Sequence, residues 1–224
     1  MWVAGLSFLS DIDPDSRWIS TAQLARKSIA TLYTSDDRPY LSDCLHATPG
    51  QSAAEATADD HLRCNQLFAI TLGAVTDMAL ARRMVRACEE LLVPGAIRTL
   101  ADRRTEFPLP FNREGEVLND PHRPYWGQYS GAEDFTRKPA YHNGTAWTWP
   151  FPSWSEALYM AYGDPALETA LAILSTSASL FESGSIGQLP EILDGNAPHS
   201  QKGCGAQAWG ASELDRVLAL LEEK

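Results

Sequence analysis

Apolar residues recur along this chain at steps of three and four, the spacing that gathers them on one face of a helix. A Ser20-x-x-Gln23 capping box stands before Ala22, Ala25, Ile29 and Leu32 and predicts a helix beginning at Ser20. Leu67, Ile70, Ala74 and Met78 predict one helix over residues 66–80. Met84, Cys88, Leu91 and Leu92 predict another, ended by Pro94-Gly95, and residues 95–102 (GAIRTLAD) read as a short helical turn. Trp154, Leu158 and Tyr162 mark a helix closed by Gly163. Asp164-Pro165 then supplies an N-cap and a first-turn proline for Leu167, Leu171, Leu174, Ala178 and Phe181, up to Gly184. The last helix is expected from about Ala206 through Trp209, Leu214, Val217, Leu218 and Leu221. No stretch alternates with period two, so the expectation is a mostly α single domain over residues 1–224, built on about six main helices.

Two stretches fall outside this rhythm. Residues 105–145 hold five prolines and the aromatics Phe107, Phe111, Tyr125, Trp126, Tyr129 and Tyr141. That is too long for a passive connector, and such a segment usually covers or builds a site. Residues 42–62 form a second irregular stretch.

Composition narrows the partners. With 224 residues, 44% of them hydrophobic, the chain is large enough for a substantial core. Its formal net charge of −11 would repel nucleic acid and anionic membranes, so neither is expected as a partner. The opening MWVAGLSFLSDIDPD lacks the basic start and the length of a leader or a membrane span, which argues for the cytoplasm. Cys44, Cys64, Cys88 and Cys204 show no ligand spacing and are expected as free thiols. His46, His61, His122, His142 and His199 are likewise scattered, so no metal and no cofactor are expected.

Candidate chemistry gathers in three places. In DDHLRCNQLFAI, Arg63, Asn65 and Gln66 offer donors suited to sugar hydroxyls or a carboxylate. The same residues also read as a plain helix cap, with Asn65 as N-cap and Arg63 paired to Asp59 or Asp60. In YHNGTAWTW, Tyr141, His142, Asn143, Trp147 and Trp149 could present flat rings and polar edges to a pyranose, or the tryptophans could fill the core. In GQLPEILDGNAPHSQKGCGAQAW, Pro190 keeps Leu189 out of a helix and Asp194-Gly195 signals a tight turn. Glu191 therefore sits on a loop, either as a general base or as a solvated charge, and Asp194 as a turn residue.

Taken in order, LRCNQLFAI, YHNGTAWTWPFP and LPEILDGNAPHSQKGCGAQAW resemble the C-terminal part of the glycogen debranching enzymes, the amylo-α-1,6-glucosidase family, over residues 59–216. The resemblance implies an all-α (α/α)6 toroid of the six-hairpin glycosidase type, of which this chain would supply the C-terminal half. It implies hydrolysis of α-1,6-linked branch stubs on a branched α-glucan, glycogen or limit dextrin, with inversion. Glu191 matches the family's catalytic base, and Arg63, Asn65 and Gln66 match its Arg-x-Asn-Gln motif. Tyr141, His142, Asn143, Gly144, Trp147, Asp194, His199, Gln207 and Trp209 match positions at the sugar-binding end.

The family's general acid is an aspartate in an upstream Trp-x-Asp-like motif, and residues 1–40 contain no counterpart. An inverting pair stands roughly 6.5–9.5 Å apart, which leaves Asp43, Asp59, Asp60 and Asp134 as carboxylates that could reach a cleft. Half a toroid would expose apolar faces, so self-association or a partner chain completing it is expected. Two other readings remain: a non-catalytic carbohydrate-binding or interaction module, and another (α/α)6 enzyme of trehalase-like or sugar-epimerase-like type.

Overall fold

The computed structural model describes residues 1–13 and 16–224. Among them, six helices of nine residues or more carry the fold: α1 (Trp2–Ile12), α2 (Ser16–Leu32), α4 (Met78–Ala87), α6 (Pro152–Tyr162), α7 (Leu167–Ser175) and α9 (Ala208–Glu222). Three short ones join them: α3 (Leu67–Thr71), α5 (Lys138–Tyr141) and α8 (Ala178–Phe181). No helix among the described residues is long and apolar enough to cross a membrane.

Helix α6 is the hub. It packs against α3, α4, α7 and α9, and every residue from Phe151 through Leu158 is buried. A helix enclosed on all sides needs its polar atoms satisfied from its neighbours. Accordingly, Trp154 Nε1 donates to the Val85 carbonyl at 3.1 Å and Ser155 Oγ to the Ala170 carbonyl at 3.0 Å. Glu156 accepts from Arg216 of α9 at 2.7 and 3.2 Å. Around this hub Leu67, Ile70, Met84, Leu91, Leu174 and Val217 form the core.

Several boundaries differ from the sequence expectation. Helix α1 fills the N-terminal run, where no helix is predicted, and packs on α2. Helix α2 begins at Ser16, so Ser20 lies inside it and its hydroxyl donates back to the Arg17 carbonyl instead of capping. The helix predicted over 66–80 is broken, because Gly73 turns left-handed at φ +67° and Asp77 caps a new helix through the Ala79 amide at 2.8 Å. Met78 thereby opens α4 and is exposed, not part of an apolar stripe. The helix expected from Leu167 to Phe181 likewise divides into α7 and α8.

The all-α expectation needs a larger correction. The predicted helical turn at 95–102 is not helical: Ala96–Arg98 is strand and residues 99–102 are irregular. β3 (Leu92–Val93) and β4 (Ala96–Arg98) form a hairpin across Pro94-Gly95, with Leu92 opposite Ile97. They begin an antiparallel sheet that continues through β7 (Ala146–Trp147), β8 (Ile192–Leu193) and β9 (Gln201–Lys202). Two small ribbons accompany it: β1 (Leu45–His46) with β2 (Thr57–Ala58), and β5 (Asn112–Arg113) with β6 (Glu116–Val117). Strands of two or three residues are too short to show alternation, so periodicity cannot register them. Their effect is large nonetheless, since the register Ile97–Trp147–Ile192–Lys202 draws four distant segments to one end of the helix cluster.

Candidate functional site

A cleft of about 520 Å³ opens where this sheet meets the N-terminal ends of α3 and α9. One wall is polar, with Asp43, Arg63 and Asn65; the other is aromatic, with Phe68, His142, Trp147, Trp149 and Trp209. A volume of this order and an apolar lining with a few convergent polar groups are usual for a small-molecule site.

The aromatic wall is a continuous stack. Phe68 and Trp149 lie 5.3 Å apart at 12°, and Trp149 and Trp209 lie 5.2 Å apart at 24°. Trp209 meets Trp147 edge-on at 5.8 Å, and the His142 ring lies nearly parallel to Trp147 at 5.6 Å. Trp147 is pinned from behind, its Nε1 donating to the Tyr141 carbonyl at 2.9 Å. Burial, with the Arg63 charge adding to it, pushes the His142 imidazole below its ordinary pKa, so the ring is neutral at pH 7.

On the polar wall, Asp43 is the junction. Its Oδ1 accepts from Asn65 Nδ2 at 2.9 Å, and its Oδ2 stands 3.0 Å from Arg63 Nε as a charge contact poorly aligned for a hydrogen bond. Arg63 also donates to Asn143 Oδ1 at 2.9 Å and to the His142 carbonyl. One guanidinium thus ties the two walls together. The alternative pairing of Arg63 with Asp59 or Asp60 does not form. Beside it, burial pushes the Cys64 thiol up to about 12.

Glu191 is half-buried on the segment that enters β8. Its Oε1 accepts from the Tyr141 hydroxyl, and its Oε2 accepts from the Cys204 backbone N–H at 2.9 Å. Backbone bonds lock the segment further: Glu191 N–H to the Cys204 carbonyl at 2.8 Å, and Thr148 Oγ1 to the Pro190 carbonyl at 2.7 Å. Burial, and then the bond to Glu191, push the Tyr141 phenol well above its usual pKa. The Tyr141 ring meets Trp147 at 4.6 Å, so Glu191 adjoins the cleft through this ring and is not itself among the lining residues. The glutamate needs Gly203 opposite it. Gly203 has φ +68°, and a Cβ there would come within 2.5 Å of Glu191 Oε2.

The remaining predicted site residues stand apart from the cleft lining. Gln66 uses its carboxamide to hold backbone, accepting from Leu41 N–H at 3.2 Å and donating to the Arg63 carbonyl at 3.0 Å. Asp194 is buried and accepts from Tyr129 N–H at 2.8 Å, while His199 Nδ1 contacts the Asp194 carbonyl at 3.0 Å. Asn143 braces Arg63 and donates to the Pro139 carbonyl at 2.8 Å. A Cβ on Gly144 would collide with the Trp126 backbone at 2.6 Å, so the absence of a side chain lets two segments cross. Gln207 precedes α9 and donates its N–H to the Leu189 carbonyl at 2.9 Å.

Of the four carboxylates left open as candidates, Asp43 lines the cleft. Asp59 is enclosed by His46 and His61, Asp60 accepts from the Glu106 and Phe107 amides, and Asp134 pairs with Lys138 and Arg113. Phe68 was not anticipated, although it lies three residues after Asn65 and so on the same side of the turn. Among the described residues, no group of three or more His, Cys, Asp or Glu is placed to hold a metal. A family model described as amylo-alpha-1,6-glucosidase matches residues 2–216. No curated protein matches the chain.

Proposed function

The chain belongs to the amylo-alpha-1,6-glucosidase family, and from that premise we propose that its cleft binds a glucosyl unit at an α-1,6 branch point of a glycogen-type glucan, with Glu191 as the general base. The stacked rings match the C–H face of a pyranose, and the Asp43–Arg63–Asn65 wall matches its hydroxyl rim. In the proposed step Glu191 takes a proton from a water molecule as that water attacks the anomeric carbon. The C–O bond to the leaving chain breaks as its oxygen takes a proton from a general acid, and configuration inverts. The inverting step requires that acid besides Glu191, and the described cleft residues do not supply it. The (α/α)6 toroid, with this chain's helices as part of its wall, belongs to the same proposal.

The observation that carries it is the bracing of one carboxylate by two donors beside a tryptophan-lined cleft. A solvated loop charge would need neither Tyr141 nor the Cys204 amide. A second reading, a glucan-binding module without catalysis, is favoured by Asp43. Among the described lining residues it is the one carboxylate, and it is wired as an acceptor by Asn65 and Arg63, so no described carboxylate in the cleft is arranged to protonate a leaving group.

Glucose release from a branched limit dextrin separates these readings. The wild-type chain releases glucose, and Glu191→Gln lowers the rate by about 10²–10⁴. Equal rates in both proteins would remove Glu191 from the mechanism. Saturable binding with no release by either protein would establish the binding module, and release from trehalose alone would indicate a different (α/α)6 hydrolase.

A further inference from the structure

Beneath the polar wall lies a buried cluster that the proposed reaction does not use. The ribbon of β1 and β2 brings His46 across from Thr57, and Asp59 follows the ribbon into the interior, where it is 1% exposed. Asp59 Oδ2 stands 3.1 Å from His46 Nε2 and 3.3 Å from His61 Nδ1. Its Oδ1 accepts from the Asp43 backbone N–H at 2.8 Å, and its own N–H donates to the Cys44 carbonyl at 3.2 Å. His61 is fixed at its other nitrogen, Nε2 lying 3.0 Å from the Phe107 carbonyl, and the His46 ring lies flat on Phe107 at 4.0 Å. Arg38 donates to the Asp59 carbonyl and, at 3.1 Å, to Ser42 Oγ.

One contact on this carboxylate leads toward the cleft. That one goes to Asp43, whose side chain leads on to Asn65 and Arg63 and through Arg63 to the aromatic wall. Asp43 itself stands with Cys44 on an exposed irregular stretch just before β1, where packing does not fix a side chain firmly. A buried, fully bonded carboxylate can do so, because leaving any partner unsatisfied is costly.

We propose that Asp59, gripped by His46 and His61, is a positioning residue that sets Asp43, and through it Arg63 and Asn65, in the register the cleft needs to bind glucosyl hydroxyls. The sugar half of this statement rests on the glucosidase reading above, whereas the placement of the wall stands apart from it.

The test combines two measurements on the full chain. In nitrogen-15 NMR spectra, Asp59→Asn displaces or broadens the Arg63 Nε–H and Asn65 side-chain signals while the Trp154 indole signal of the core stays in place. Titration with isomaltose, followed by tryptophan fluorescence, gives a Kd about tenfold weaker than wild type. A lower melting temperature with Arg63 and Asn65 signals and Kd unchanged would overturn the proposal, since that is what a purely structural role gives. Should Asp59→Asn not fold, His46→Ala removes one grip at a side chain 37% exposed and shifts both readouts in the same direction by less. A wild-type chain that ignores isomaltose would defeat the glucosidase reading, and the NMR comparison would still decide the positioning claim.

Discussion

Tyr141, Cys204 and Gly203 hold Glu191 in place, and each makes a different demand on the sequence: a hydroxyl donor, a free backbone N–H, and the lack of a Cβ. A hydrogen bond to a charged group contributes about 1.5–3 kcal/mol. Tyr141→Phe should therefore lower kcat on branched dextrin by at least about tenfold while the ring still packs on Trp147, which steady-state kinetics and a thermal melt would show together. Gly203→Ala strains a left-handed position and crowds the carboxylate, so it should lose more activity than Tyr141→Phe, with a stability loss of about 1 kcal/mol or more. Part of this was legible in the sequence. Pro190 and Asp194-Gly195 mark the loop that carries Glu191, and the Trp147 and Trp209 positions point to an aromatic surface. What could not be read was which polar side chains face outward. Asp194, Gln66 and Asn143 have the chemistry of sugar ligands, yet here they bond to backbone or brace Arg63. Distinguishing the two needs to know which backbone groups the fold leaves unpaired, and that is set by distant segments.

Among the elements, amphipathic helices such as α7 and α9 follow from their apolar spacing because one face is buried and the other wet. Of the stripe Met84, Cys88, Leu91 and Leu92, by contrast, only Met84 lies in α4, which gives way to a 3-10 turn at Cys88 and to strand at Leu92. Helix α6 has no wet face over most of its length, yet Trp154, Leu158 and Tyr162 mark it in the sequence and Gly163 marks its end. The two- and three-residue strands of the central sheet were illegible, since pairing partners as distant as Ile97 and Trp147 define them. Helix α1 shows the same dependence on context. Leu6 is buried against α2, whereas Phe8 and Leu24 are 63% and 64% exposed. Leu6→Ala should accordingly cost about 2–5 kcal/mol, and Phe8→Ser or Leu24→Ser about 0.5 kcal/mol or less. Chemical denaturation of the three variants would check the contrast; equal losses would mean that those exposed faces are covered in solution.

At the scale of the molecule, the chain's charge of −11 leaves the cleft as a place where Arg63 is balanced locally by Asp43, so a neutral sugar suits it better than an anion. The Asp59 cluster sets a pH window for stability. Burial raises the Asp59 pKa, but the bonds from His61 and His46 outweigh this and hold its carboxyl down to about 2. Its contribution, about 2 kcal/mol, is complete above the unfolded value near 3.8 and is lost as pH falls toward 2. For His61, burial lowers the pKa, yet the bond to Asp59 and the Phe107 carbonyl raise it above the ordinary value of 6.5. That contribution is complete below 6.5 and fades as pH rises through the raised folded value. Melts recorded across pH should show a plateau between these limits, and Asp59→Asn should flatten both limbs. The central claim, that Glu191 activates water against a glucosyl unit in this cleft, is tested most directly with α-glucosyl fluoride, whose leaving group needs little protonation and so depends on the base alone. Proton NMR of the first product should show β-glucose from the wild-type chain and none above background from Glu191→Gln; α-glucose as the first product, or equal rates in the two proteins, would contradict the account.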